Sequence, residues 1–155
     1  MNRQYPLAIQ DMQEVVKEDP NFRTAHYKLW YAYSVTGDQA QAWREFQTIV
    51  QTVAPAENAK RIVAAYQRGG YAASLNSFAG SHFGIDYPGS LVDGARCMIF
   101  AGNRAGAMDF LERAYRAKEG WMIFVPTDPA FDSLRSDPRF ARLVHQVLSV
   151  SGRSS

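Results

Sequence analysis

Three histidines, one cysteine and several carboxylate pairs are the residues that could carry metal or acid–base chemistry. His26, His82 and His145 fall in three different structural units, and no two share a helix at ligand spacing; HExxH, CxxC and EF-hand patterns are absent from the sequence. No metal and no cofactor are therefore expected. His26 reads as a packing residue between helices, His82 as a helix-end residue, and His145 as solvated or half-buried near the C-terminus. Cys97, in Cys-Met-Ile-Phe, reads as a small buried hydrophobe. Gly80-Ser81-His82-Phe83 is not a nucleophile elbow, and Gly69-Gly70 and Gly89 lack the framing that cradles phosphates. Asp109 and Glu112 alternate with Arg113 and Arg116, which reads as a solvated charged face rather than an acid/base pair. The sequence thus predicts no catalytic residue and no enzyme.

Those side chains must be positioned by some scaffold, and composition bounds what it can be. The chain has 155 residues, 46% hydrophobic and 21% charged, enough for one domain with a sizeable core. A net charge of +2 does not point to nucleic acid as a partner of this chain itself. No stretch reaches the roughly eighteen apolar residues of a membrane span, so no membrane insertion is expected. A single cysteine excludes an intramolecular disulfide and suits a reducing, cytoplasmic setting.

Periodicity then supplies the architecture. Turn signals occur at Thr36-Gly37-Asp38, Arg68-Gly69-Gly70 and Ala101-Gly102-Asn103; Gly37 to Gly70 is 33 residues and Gly70 to Gly102 is 32. Tyr33, Tyr66 and Met98 precede those glycines by four. Helical periodicity covers 21–36, 56–68 and 88–101 before the turns, and 39–53, 71–83 and 104–117 after them. Glycine offers a left-handed residue at each helix end, and Asp38 or Asn103 can cap the next helix.

With that period the chain resembles the tetratricopeptide repeats, whose pattern is Trp-x2-Leu-Gly-x2-Tyr, then Ala-x3-Phe, then Pro. The segment HYKLWYAYSVTGDQAQAWREFQTIVQTVAP carries Leu29, Tyr33, Gly37, Ala42, Phe46 and Pro55 in that order, with His26 replacing the tryptophan and Trp30 standing at a usually small position. A second copy keeps Ala95, Gly102, Ala107, Leu111 and Ala114; a degenerate copy between them keeps Tyr66 and Gly70. Ala8, Met12 and Pro20 match the second helix of a repeat whose first helix is absent. The resemblance implies an all-α, right-handed superhelical stack of antiparallel helical hairpins in a single domain, 1–150. Its parts are a half repeat 1–20, repeat 21–55, degenerate repeat 56–87, repeat 88–119 and C-terminal cap 120–149, with a disordered tail at 150–155.

Such arrays bind through the groove lined by the first helix of each repeat. The resemblance places Thr24, Tyr27, Tyr31 and Ser34 there, then Glu57, Lys60, Ala64 and Gln67, then Val92, Arg96 and Ile99. A protein or peptide partner is implied, although Tyr27 and Tyr31 could equally serve packing alone. Lys17 and Asn21 have the spacing of a carboxylate clamp but cross a helix end, so that activity is not expected. The exposed side of the first helix, Leu7, Ile9, Met12 and Val16, needs cover from upstream chain or from a second copy, which makes a homo-oligomer the alternative.

The C-terminal stretch contains DPAF and DPRF, and DPNF occurs at Asp19. Asp can cap, Pro fits the first helical position, and Phe is expected in the core. Short helices are expected near 129–135 and 138–149, with Trp121 an anchor. Trp121, Phe124, Asp128-Pro129, Phe131-Asp132, Leu134-Arg135 and Ser136-Asp137-Pro138-Arg139-Phe140 resemble the repeat tails of bacterial multidomain signalling proteins and transcriptional regulators. That implies a regulatory interaction module.

Overall fold

The computed structural model describes residues 5–80 and 90–151. Among these the chain is all-helical with no strand: α1 Tyr5–Glu18, α2 Arg23–Thr36, α3 Gln39–Val53, α4 Ala56–Ala79, α5 Leu91–Phe100, α6 Arg104–Arg116, a 3₁₀ segment Gly120–Thr127, a 3₁₀ turn Pro129–Leu134, and α7 Pro138–Ser151. The chain divides into two compact units, Met1–Ser74 and Leu75–Ser155, and the division falls inside the span 56–87 that the period gives to one repeat. Helix α7 continues to Ser151, so the tail expected from residue 150 begins as helix; residues 152–155 lie outside the described residues.

One hairpin in each unit is built by the same turn. Gly37 takes φ +87°, Asp38 N–H donates to Tyr33 O at 2.9 Å, and the Asp38 carboxylate accepts from Gln41 N–H at 3.1 Å. Sixty-five residues later Gly102 takes φ +79°, Asn103 N–H donates to Met98 O at 2.8 Å, and Asn103 Oδ1 accepts from Gly106 N–H at 2.8 Å. The left-handed residue and the polar cap are what these glycines and their followers were expected to supply. The third turn signal acts inside α4. Gly69 and Gly70 leave helical geometry there, and Gly70, at φ +68° and ψ −161°, occupies a region essentially reserved for glycine.

In the N-terminal unit α1 packs on α2 and α2 on α3. Trp30, at the position the resemblance reserves for a small residue, is wholly buried. Its ring lies 5.6 Å from Phe46 and its Nε1–H donates to Tyr71 Oη at 2.6 Å, so the indole's one polar atom is satisfied. Trp43 stacks on Tyr66 with centroids 3.9 Å apart. His26 bridges as expected: Nδ1 lies 2.6 Å from Glu45 on α3, and Nε2 lies 3.0 Å from Pro20 O.

The C-terminal unit has its own core. Val92 and Ala95 from α5, Met108 and Leu111 from α6, Met122 and Val125, Phe131 and Leu134, and Phe140, Leu143 and Val147 from α7 form one buried cluster. The DPxF words at 128 and 137 behave as expected: Asp128 Oδ1 accepts from Ala130 N–H at 2.9 Å, Asp137 Oδ1 accepts from Arg139 N–H at 2.8 Å, and Phe131 and Phe140 are buried. Phe22 corrects the expectation for the first word, being exposed. Phe131 and Phe140 stand at the third position of their helices, whereas α2 starts only at Arg23 and leaves Phe22 at its N-cap.

Candidate functional site

The predicted groove residues have different fates in the two units. Thr24, Tyr27, Tyr31 and Ser34 lie on one face of α2 at spacings of three and four. Thr24 is exposed, while Tyr27 and Tyr31 are half-buried, the Tyr27 ring tilting against Trp30 at 5.5 Å. Ser34 Oγ is committed to Tyr71 Oη at 2.6 Å. On α4, Lys60 and Gln67 are exposed, and Lys60 pairs with Glu57 on its own helix at 2.8 Å. On α1, Leu7 is 55% exposed, and Ile9, Met12 and Val16 are half-buried.

Val92, Arg96 and Ile99 are not open groove residues, which corrects the expectation for α5. Val92 is fully buried, and Ile99 packs against the same core. Arg96 donates from Nη1 to Asp93 Oδ1 at 2.8 Å, and from Nε and Nη2 to Asp128 Oδ2 at 3.0 and 2.8 Å. The cause is tertiary: both 3₁₀ stretches pack on α5, so the chain's own residues 120–134 occupy that face. Glu119 adds a second tie, accepting from Ser90 Oγ at 2.7 Å and Leu91 N–H at 2.9 Å at the N-terminus of α5, where a carboxylate complements the helix dipole.

What the C-terminal unit leaves open lies elsewhere. A cleft of about 510 Å³ is lined by Tyr115, Met122, Ile123 and Val147 with Arg116, Lys118 and Glu119. An adjoining depression of about 340 Å³, lined by Glu112, Arg139, Arg142, Leu143 and Gln146, shares Tyr115 and Arg116 with it. α6 supplies Tyr115 and Arg116, α7 supplies Arg142 and Val147, and the 3₁₀ segment supplies Ile123. With three residues per turn, a 3₁₀ helix stacks Met122 on Val125, both buried, and turns the rest outward. Ile123 is 57% exposed, Phe124 50% and Trp121 40%, the rings of Trp121 and Phe124 lying 5.7 Å apart. Trp121 is therefore a surface residue, not the anchor the sequence suggested. A signal was present: Pro126 bars an α-helical reading of Trp-Met-Ile-Phe-Val, and period three separates the buried from the exposed set.

Electrostatics sharpen the difference between wall and interior. Arg139 grips Glu112 and Asp109, each at 3.0 Å, and these carboxylates hold its guanidinium above its ordinary range. Burial pushes the Cys97 thiol well above its usual range, Asp93 adding to this and Arg96 opposing, so it is a core residue as expected. Burial likewise raises the Tyr33 phenol, against a hydrogen bond from Gln13 Nε2 at 2.9 Å. Among the described residues no group of three or more His, Cys, Asp or Glu could hold a metal ion, and no helix is long and apolar enough to cross a membrane. His145 is exposed; His82 and Gly89 lie outside the described residues. Compared with protein-family models, curated proteins and solved structures, the chain gives no match.

Proposed function

We propose that this chain is a non-catalytic protein-interaction scaffold of tetratricopeptide-like build, binding a peptide or protein domain as a cytoplasmic regulatory module of a bacterial signalling system. The observation that carries the reading is the exposure of Trp121, Ile123 and Phe124 on one short segment beside an open apolar cleft, since large apolar groups gathered at a surface depression mark interaction sites. The identical turn chemistry at Gly37 and Gly102 supports a repeat architecture. Thr24, Tyr27 and Tyr31 on α2, with Lys60 and Gln67 on α4, remain a second candidate surface; the Ser34 hydroxyl is committed to the buried Tyr71. Photo-crosslinking with p-benzoylphenylalanine at Phe124 and, separately, at Tyr31, in cells that produce the protein, tests this. A specific protein adduct at either position is expected; adducts at neither position would refute the scaffold.

Self-association is the second reading, favoured by the exposure of Leu7 on a helix with no buried residue. Sedimentation at increasing concentration decides it, a concentration-independent monomer removing it.

A further inference from the structure

We infer that the cleft between α6, the 3₁₀ segment and α7 receives an acidic segment of another protein that carries large apolar side chains. This deepens the interaction reading above and rests on it. The floor and one lip of the cleft are apolar, through Met122, Val147 and Ile123, and a space of about 510 Å³ lies in the range of pockets that enclose large groups. The charge around it is one-sided. The linings of the two depressions hold two carboxylates and four cations, of which Arg139 is itself paired with Glu112 and Asp109, leaving Arg116, Lys118 and Arg142. Both carboxylates are already committed: Glu112 accepts from Arg139, and Glu119 is drawn to Ser90 and the N-terminus of α5. Arg116, Lys118 and Arg142 are exposed. A ligand entering here therefore meets an apolar floor under a cationic rim. Acidic side chains flanking apolar ones satisfy both, the anions steering encounter and the apolar groups supplying the buried contact. A bilayer presents a broad face, and the concavity of the cleft favours inserted side chains over a lipid surface.

The test is fluorescence anisotropy on the full chain with a fluorescein-labelled peptide of about twelve residues in which Glu and Asp alternate with Leu and Phe. Saturable binding is expected, weakened roughly tenfold when NaCl is raised from about 0.05 M to about 0.5 M. Ile123→Ser and Arg142→Glu should each weaken it by about tenfold. Both side chains are exposed, and circular dichroism confirms that each variant is folded; Lys118→Glu replaces any variant that is not. A peptide with Lys in place of Glu and Asp, and one of Glu and Ser alone, should each bind at least about tenfold more weakly. Equal binding of the Lys peptide, or affinity unchanged by every cleft variant, overturns the inference. So does preferential binding to phosphatidylserine vesicles, or sedimentation showing that Ile123 and Arg142 instead hold a second copy. Crosslinking at Phe124 is read separately: an adduct there with no acidic-peptide binding keeps the scaffold and removes only the acidic partner.

Discussion

Replacing Arg96 by Met separates a residue of an open groove from an internal tie. On an exposed groove wall the change would alter stability by no more than about 0.5 kcal/mol. In this fold it deletes three charge-assisted hydrogen bonds and leaves Asp93 and Asp128, whose side chains are 4% and 5% exposed, as carboxylates without their cation. Removing one member of a buried ion pair costs about 3–5 kcal/mol. Asp128 keeps its bond from Ala130 N–H, which places the expectation at the lower end, about 3 kcal/mol. At about 2–4 °C per kcal/mol for a chain of 155 residues, the melting temperature should fall by roughly 6–12 °C. Urea unfolding followed by far-ultraviolet circular dichroism reads the change directly. The double variant Arg96→Met with Asp128→Asn should be less destabilised than the two single changes combined, because the second removes a charge the first stranded. A loss below about 1 kcal/mol, or strict additivity, refutes the tie.

Four further outcomes follow from local geometry. Gly70→Ala should destabilise by about 1–3 kcal/mol in urea unfolding, since its backbone lies where side chains are strained; an unchanged midpoint would place the break in α4 elsewhere. Gly94→Ala would set a Cβ 2.5 Å from Phe110 Cε1, so it should destabilise the wild type yet stabilise a Phe110→Ala background by up to about 1 kcal/mol through helix propensity; the same sign in both backgrounds contradicts the contact. Cys97, buried and with its thiol held protonated, should resist iodoacetamide in the folded state and become markedly faster to label in Arg96→Met; rapid labelling of the wild type contradicts its burial. The Tyr33 phenol ionises later in the folded than in the unfolded chain, so its contribution is intact below about pH 10 and is lost as pH rises from there through the higher folded value. Tyr33→Phe should therefore flatten part of the stability loss between about pH 9 and 11, and an unaltered slope argues against it.

Local chemistry was the legible part of this chain. Gly37, Gly102, Asp38 and Asn103 announce their turns because left-handed backbone and free amide protons have few residue types that serve them. Asp128-Pro129 and Asp137-Pro138 mark helix starts for the same reason. Trp30 shows where pattern falls short: a consensus wants a small residue there, but Phe46 and the Tyr71 hydroxyl make a place for an indole that no spacing rule contains.

The candidate site was harder to read because a face on a helix can be found from period while its occupant cannot. α2 and α5 begin equivalent hairpins, and the same register selects Tyr27 and Tyr31 on one and Val92 and Arg96 on the other. On α5 that face is covered by residues 120–134, which Arg96 holds through Asp128. Covering it has a consequence for the surface. The 3₁₀ segment that spends Met122 and Val125 on the core must, at three residues per turn, direct Ile123 and Phe124 outward. The same packing event that closes one face of α5 thus creates the apolar lip of the cleft beside α6 and α7. If Arg96→Met loosens that segment, the acidic peptide should bind more weakly although Arg96 does not line the cleft, with Cys97 labelling rising in parallel. Weakened binding without increased labelling would break the link between the tie and the site.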